Sequence, residues 1–158
     1  MLFRSMVYVG HSGGGGHFVY SIVGDCANTA ARIEGLNKKL GTRILASRST
    51  LEGLDDILTR YLGDFQFVGK TEALPIVELM ARKHQATDAQ LALSMDYQIA
   101  IEKLATGDCS QALILFESIL EKHPDDGPAN FHKAYCQKLL MQQESLPNNP
   151  SIIQLDSK

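Results

Sequence analysis

The sequence predicts an α+β fold in which strands and one helix are followed by helices alone. Three observations predict it. Residues 17–23 alternate apolar and polar side chains, as a half-buried strand does. Residues 27–40 carry apolar side chains at helical spacing, and three helical segments follow residue 90 with no strand signal between them. With 158 residues, of which 44% are apolar, the chain is long enough for one domain with a core and an appendage.

The first sixteen residues carry only weak signals. Residues 1–9 are a candidate for a short strand with a weak pattern. Five glycines lie between positions 10 and 16, and such a run predicts a flexible loop. The run has neither the Gly-Lys-Ser/Thr ending nor the GxGxxG spacing of phosphate-binding loops.

The first helix is predicted over residues 25–40. Gly24 and Asp25 turn the chain, and Asp25 is expected to be the N-cap, where the helix dipole favours a carboxylate. Gly41 is expected to end the helix in the left-handed conformation. The apolar face consists of Ala27, Ala30, Ala31, Ile33, Leu36 and Leu40.

A short strand, a short helix and two longer strands are expected next, at residues 42–46, 47–54, 60–68 and 73–80. Ser47 or Ser49 is expected to cap the short helix. Residues 69–72 read as a hairpin-like turn. Pro75 places the last strand at a sheet edge or marks the start of the strand, because proline donates no backbone hydrogen bond.

The composition becomes helical after residue 80. We divide the chain into residues 1–80, a linker at 81–94, a helical tail at 95–142 and a loosely ordered C-terminus at 143–158. The helices are expected at 91–105, from Asp108 or Ser110 to 122, and at 128–142.

The helical tail has a tetratricopeptide-like rhythm of small, large, apolar and proline residues, carried by Ala112, Phe116, Leu120 and Pro124. Only one such unit is visible in the sequence. A single repeat cannot bury its apolar face alone, so the tail is expected to pack on the first domain or on another chain.

Charge, hydropathy and cysteine usage narrow the function classes. The net charge is −3 and no run of Lys and Arg occurs, so a nucleic-acid partner is not expected. No apolar run approaches the roughly 20 residues that span a bilayer, and the N-terminus does not read as a signal peptide. The three cysteines have no metal-ligand spacing. Their odd number, without a signal peptide, suggests a reducing compartment, so we expect a cytoplasmic chain, with any membrane anchor in a longer parent protein.

A motif with chemical content runs from Tyr20 to Leu36 and reads Tyr-Ser-Ile-Val-Gly-Asp-Cys-Ala-Asn-Thr-Ala-Ala-Arg-Ile-Glu-Gly-Leu. It resembles the strand–helix segment of class III nucleotide cyclases. Residues 41–47 and 61–79, including Gly69-Lys70-Thr-Glu, are similar to the strand and terminal hairpin that follow in that family. The segment His123-Pro-Asp-Asp-Gly-Pro128 resembles the extension behind many bacterial cyclase domains with extracytoplasmic sensors. The resemblance implies a partial ferredoxin-like cyclase domain with a helical tail.

The resemblance implies a role for four residues. Arg32 would stabilise the charge that builds on the phosphoryl oxygens when the ribose 3′-oxygen attacks the α-phosphorus. Asn28, one helical turn earlier, would orient the ribose, and Lys70 would reach the distal phosphates. Ser21 would contact the purine. A hydroxyl there serves either base, but in the family it usually accompanies ATP, so ATP is the preferred substrate.

Spacing alone supports plainer interpretations of the same residues. Asn28 and Arg32 would then belong to a solvated helix face. Lys70 would be an exposed turn lysine and Ser21 an ordinary strand serine. The family motif around them is what favours the functional interpretation.

The family also needs two carboxylates that hold two Mg²⁺ or Mn²⁺ ions, and the sequence offers no metal ligands at the corresponding place. In the family, one subunit of a dimer supplies the carboxylates and the other supplies Asn and Arg. We therefore expect the C-terminal part of an adenylate cyclase, inactive alone, that belongs to a longer protein or complements a cyclase-domain partner. The alternative is a non-catalytic interaction module built on the helical tail and a degenerate cyclase remnant.

Overall fold

The described part of the chain, residues 8–141 and 152–155 of this computed structural model, is α+β, as predicted. Its strands are β1 Tyr8–Gly14, β2 His17–Val23, β3 Leu45–Ser47, β4 Ile57–Gln66, β5 Leu74–Arg82 and β6 Ile152–Gln154. Its α-helices are α1 Asp25–Leu40, α2 Asp88–Ala105, α3 Cys109–Lys122 and α4 Gly127–Met141. Short 3₁₀ helices occupy Arg48–Leu51 and Lys83–Gln85. No helix in these ranges is long and apolar enough to cross a membrane.

The glycine-rich segment forms most of β1, so the prediction of a loop over residues 10–16 was wrong. β1 and β2 form an antiparallel hairpin in which Tyr8 pairs with Val23 and Gly14 pairs with His17. Only Gly15 and Gly16 turn the chain, with φ of 66° and 87°, and a two-residue hairpin turn needs such positive angles. Pairing with an apolar partner strand overrode the local flexibility of glycine. The candidate strand at 1–9 lies outside the described residues except for its last two positions.

Helix α1 confirms the predicted helix and its end but corrects its start. Gly24 occupies the N-cap position and Asp25 is the first helical residue, without a side-chain capping bond, so the N-cap assignment to Asp25 was wrong by one residue. Gly41 ends the helix at φ 67°, as predicted. The buried side chains are Ile33, Leu36 and Leu40, whereas the predicted alanines at 27, 30 and 31 are half-buried or exposed.

The larger sheet has the strand order β3-β5-β4-β6. β3 and β4 run antiparallel to β5, and the predicted short helix is a 3₁₀ turn after Ser47. Pro75 is the second residue of the central strand β5, so it marks the start of a strand and not an edge. At Gly63 the ladder is irregular and φ is 114°, a conformation that favours glycine.

The expected loosely ordered C-terminus contains a strand, which corrects that expectation for residues 152–155. β6 runs parallel to β4, with Ile153 opposite Phe65 and only 2% exposed. Burial of this isoleucine against the sheet accounts for the pairing, which the neighbouring prolines and asparagines conceal in the sequence. The rest of the expected segment lies outside the described residues.

The three C-terminal helices begin at side-chain caps. Thr87 and Gln90 form a capping box at α2, which therefore starts three residues before the predicted position 91. Asp108, not Ser110, caps α3 by accepting from the Gln111 backbone N–H. The expected linker at 81–94 contains the end of β5, a 3₁₀ turn and the first turns of α2.

The helices pack on the larger sheet and share one core with it. α2 contacts β4, and α3 contacts both α2 and α4. Of the two expected modes of packing, the structure therefore shows packing against the first part of the chain. The core residues fall on both sides of the predicted linker; among them are Leu36, Leu62, Phe65, Ile76, Tyr97, Phe116, Cys136 and Ile153. The domain boundaries and the tetratricopeptide-like character of the tail remain predictions.

A buried ion cluster joins the helices to the sheet. The Arg60 side chain on β4 is only 3% exposed. Its Nε donates to Glu78 Oε2 on β5 at 2.9 Å, and its Nη1 donates to Asp126 Oδ2 at 2.7 Å. Its guanidinium also lies 4.8 Å from the ring centre of Tyr97 on α2. The second oxygen of Asp126 accepts from the backbone N–H of Ala129 at 2.8 Å and so caps α4.

Close backbone packing links the start of α4 to the end of α1. A Cβ atom at position 127 would lie 2.1 Å from the carbonyl oxygen of Leu40, which is too close for any residue that has a side chain. Glycine at position 127 therefore permits α1 to end against α4. The position of α1 thus depends on the position of α4.

The imidazole of His132 on α4 lies at the centre of an aromatic cluster. The ring is stacked on Phe116 at 5.2 Å, and its Nδ1 lies 2.7 Å from the hydroxyl oxygen of Tyr97 and 2.9 Å from the carbonyl oxygen of Pro128. Complete burial lowers the pKa of His132 to about 4, because the charged form would lose its hydration.

Replacing Arg60 by alanine is expected to lower the free energy of unfolding by about 3–5 kcal/mol, because two carboxylates would be left without their buried partner. Urea denaturation of wild type and variant measures the loss. The matched control is Arg82→Ala, since Arg82 pairs with Asp56 at the surface and such a pair contributes about 0–1 kcal/mol. Equal losses of unfolding free energy in the two variants would contradict a stabilising role of the buried ion cluster.

Acidification between pH 6.5 and 4 is expected to destabilise the chain through His132. In this window the unfolded histidine binds a proton and the folded one does not, so the stabilisation is complete above pH 6.5 and is lost as the pH falls toward about 4. The contribution is on the order of 3 kcal/mol. Urea denaturation of wild type and His132→Phe across this range measures it, and parallel pH profiles would contradict the assignment.

Candidate functional site

The first turns of α1 face the β4–β5 turn (residues 67–73), and two cations lie at this contact. Arg32 Nη1 donates to the carbonyl oxygen of Val68. Lys70 Nζ forms an ion pair with the carboxylate of Asp25, 45 residues away in the chain. The contact therefore brings together two of the four side chains that the sequence singled out.

Asn28 lies one helical turn before Arg32, on the same face of α1 and exposed. Its backbone N–H donates to the carbonyl oxygen of Gly24 at 3.2 Å, which is the first hydrogen bond of the helix. Asn28 and Arg32 thus stand on regular helix, whose backbone fixes their spacing. The amide and the guanidinium are accessible to a ligand or a second protein surface.

The backbone around Lys70 is held by hydrogen bonds within the β4–β5 turn. Its N–H donates to the carbonyl oxygen of Phe67 at 2.9 Å, and its own carbonyl oxygen accepts from Gln66 Nε2 at 3.2 Å. Gln66 Nε2 also donates to the carbonyl oxygen of Thr71 at 3.1 Å. Phe67 is buried and anchors the turn in the core. The lysine therefore extends from a fixed backbone.

An open groove of about 620 Å³ runs beside Arg32, between the outer face of α1 and the end of β4. Its floor is apolar and includes Leu36, Phe67 and Leu155. Arg32, Lys38, Lys39 and Glu34 supply its charges. Three cations against one acid make the groove a favourable environment for an anion.

Ser21 lies on β2, opposite Gly10 in the hairpin register. β2 belongs to the two-stranded sheet, whereas the β4–β5 turn that carries Lys70 connects two strands of the larger sheet. Its predicted role toward the purine stays a prediction.

Sequence reasoning missed one member of this arrangement, Asp25. It was interpreted as a helix cap, whereas its carboxylate is the partner of Lys70. A negative residue in the first turn of a helix is common, and its local sequence gives no sign of a lysine 45 positions later. Only the fold reveals the pair.

Residues 8–141 and 152–155 contain no group of three or more His, Cys, Asp or Glu side chains that could hold a metal ion. The acid next to the predicted site, Asp25, is paired with Lys70. The described residues therefore do not fit a two-metal centre.

Comparison with known proteins relates part of the chain to a cyclase. Over 73 residues, or 46% of this chain, it is 37% identical to adenylate cyclase 1 of Rhizobium meliloti (strain 1021). The match spans 11% of the length of that protein. No protein-family model matches the chain, and no solved structure was found to match it. The chain is thus similar to an adenylate cyclase over part of its length.

Replacing Asn28 and Arg32 together by alanine is expected to change the free energy of unfolding by less than about 1 kcal/mol, because both residues are exposed. Thermal and urea denaturation test this. Leu36→Ala on the same helix is the control; it is buried and should cost about 2–5 kcal/mol. A large loss of unfolding free energy in the double variant would show that Asn28 and Arg32 stabilise the fold.

Proposed function

We propose that this chain supplies the Asn–Arg side of an adenylate cyclase site, completed by a cyclase-domain partner. The observation that carries the proposal is the contact of α1 with the β4–β5 turn, which brings Arg32 and Lys70 to one place on the surface. The partial similarity to an adenylate cyclase supports the reaction class.

Arg32 is suited to the charge that develops during cyclisation. The 3′-hydroxyl oxygen of ribose attacks the α-phosphorus of ATP and loses its proton to water. The bond from the α-phosphorus to the bridging oxygen breaks, and pyrophosphate leaves with its electron pair. Negative charge grows on the phosphoryl oxygens during this step. A guanidinium fixed on a helix stabilises the transition state more than the substrate, because it does not have to reorganise as the charge appears. Its bond to the Val68 carbonyl holds the group at the turn without neutralising it.

Asn28 and Lys70 complete the proposed set. Asn28, one turn from Arg32, would hydrogen-bond the ribose and orient its 3′-oxygen. Lys70 would bind the distal phosphates as a point charge, at the cost of its pairing with Asp25. Ser21 would contact the purine of ATP. All three assignments follow the family motif.

The Mg²⁺ or Mn²⁺ ions of the family are assigned to the partner domain. The described residues lack a suitable donor set. The exposure of Asn28 and Arg32 is compatible with such a shared site, since another surface can approach them.

The alternative function, a non-catalytic interaction module, is favoured by one feature of α2. Leu91, Met95 and Ile99 lie one turn apart and are 41%, 69% and 49% exposed. Such a stripe is typical of a helix that docks into a groove. The stripe does not explain the cluster of Arg32 and Lys70, which is why the cyclase proposal is preferred.

Complementation tests the proposal. The chain is mixed with a class III adenylate cyclase domain that keeps its metal carboxylates but carries alanine at its own Asn and Arg positions. We expect cyclic AMP formation from ATP and Mg²⁺ or Mn²⁺ in the mixture and none from either component. Arg32→Ala should lower the restored rate by about a hundredfold or more.

Arg43→Ala is the matched control for the complementation experiment. It removes an exposed guanidinium three residues after the same helix, outside the proposed set and the groove, so restored activity should persist. A mixture that stays inactive, with the two proteins shown to associate, would favour the interaction module. Equal loss of restored activity with Arg32→Ala and Arg43→Ala would contradict the assigned role of Arg32.

A further inference from the structure

The two cations at the contact between α1 and the β4–β5 turn have unlike partners. Arg32 donates to a neutral carbonyl oxygen and keeps its full positive charge. Lys70 is paired with a carboxylate. Two cations and one anion leave a net charge of +1 where the cations alone would give +2.

We propose that Asp25 occupies the phosphate-binding position of Lys70 when no nucleotide is bound and competes with the polyphosphate for it. The inference rests on the proposed function, because it concerns the same lysine. Asp25 then acts through Lys70 and is a positioning residue that weakens resting affinity for anions.

The burial of the pair supports the exchange. The Lys70 side chain is 33% exposed and the Asp25 side chain is 70% exposed, so the acid is the outer partner. It can rotate into water at little cost, because water solvates a freed carboxylate well. The lysine remains on its fixed turn with its charge directed toward the first turn of α1.

The position of Asp25 at the start of α1 gives it a second way to compete with a phosphate. Asp25 is the first residue of α1, where the helix dipole favours a negative group. An incoming phosphate competes for the same positive end of the helix. A carboxylate that stayed in place beside a phosphate would repel its charge even in water.

The exposure of the Lys70–Asp25 ion pair limits how strongly Asp25 can compete with a phosphate. A surface ion pair contributes about 0–1 kcal/mol, which corresponds to at most about a fivefold change in affinity. The effect therefore tunes binding and does not abolish it. It should also weaken as salt rises, because exposed charges are screened.

Inorganic tripolyphosphate is a suitable probe, since it carries the charge of the nucleotide without ribose or base. Calorimetric titration at low salt compares wild type, Asp25→Asn and Asp25→Ser. Both variants are expected to bind about two- to fivefold more tightly than wild type. The gain should vanish when Lys70→Ala is added, because the competition acts through the lysine.

Asp56→Asn is the matched control. Asp56 is also exposed and paired with a cation, Arg82, and its replacement changes the net charge equally. It should leave the affinity unchanged. The proposal is overturned by equal affinities of wild type and both Asp25 variants, by an equal gain with Asp56→Asn, by persistence of the gain without Lys70, or by no binding of tripolyphosphate to any variant.

Failure of this proposal and failure of the cyclase proposal give different results. A wild-type chain that complements the cyclase domain while Asp25→Asn binds no more tightly refutes the competition alone. A gain in tripolyphosphate affinity without any complementation refutes the cyclase role and retains the competition.

Discussion

The guanidinium of Arg60 is the group on which the arrangement of the described elements depends. Burying one cation is costly, and Glu78 and Asp126 offset this cost only in one geometry. Asp126 directs one oxygen to Arg60 and the other to the first turn of α4. The start of α4 is thereby fixed against the sheet. Because Gly127 packs against the last carbonyl of α1, the ion cluster also constrains the helix that carries Asn28 and Arg32.

The helices and the larger sheet are one packing unit in the described ranges. Tyr97 and Phe116 belong to the helices, Leu62 and Phe65 to β4, and all four lie in one core. Tyr97 also connects the aromatic cluster to the ion cluster, since it contacts both His132 and Arg60. Removal of the helices would expose the apolar face of β4 and leave Arg60 with Glu78 alone. The helical part therefore contributes to the stability of the sheet that positions the site.

Local signals predicted most of the fold, and pairing between distant segments caused the errors. Gly41 was interpreted correctly because a left-handed residue acts locally, and of the two positions that Pro75 allowed, the strand start was right and the sheet edge was wrong. The glycine strand β1 and the short strand β6 exist through their partners, which local propensity does not encode. For the candidate site, the resemblance nominated Arg32 and Lys70, and the fold places both at the contact of α1 with the β4–β5 turn, while their roles stay predictions. The pairing of Lys70 with Asp25 depends on long-range geometry and had no sequence signal.

Buried and exposed charges have different roles in this chain. Arg60 and Asp126 are fixed in a low-dielectric environment, where exchange of a partner is costly, so they define the scaffold. Lys70 and Asp25 lie where water can solvate a released partner, so their ion pair can be exchanged for contacts with a ligand at little cost. In the proposed role, a surface that accepts a polyphosphate and releases a product would need such exchangeable contacts. The rigidity that this proposed role requires would come from the helix and the turn beneath these side chains, both of which are held by buried residues.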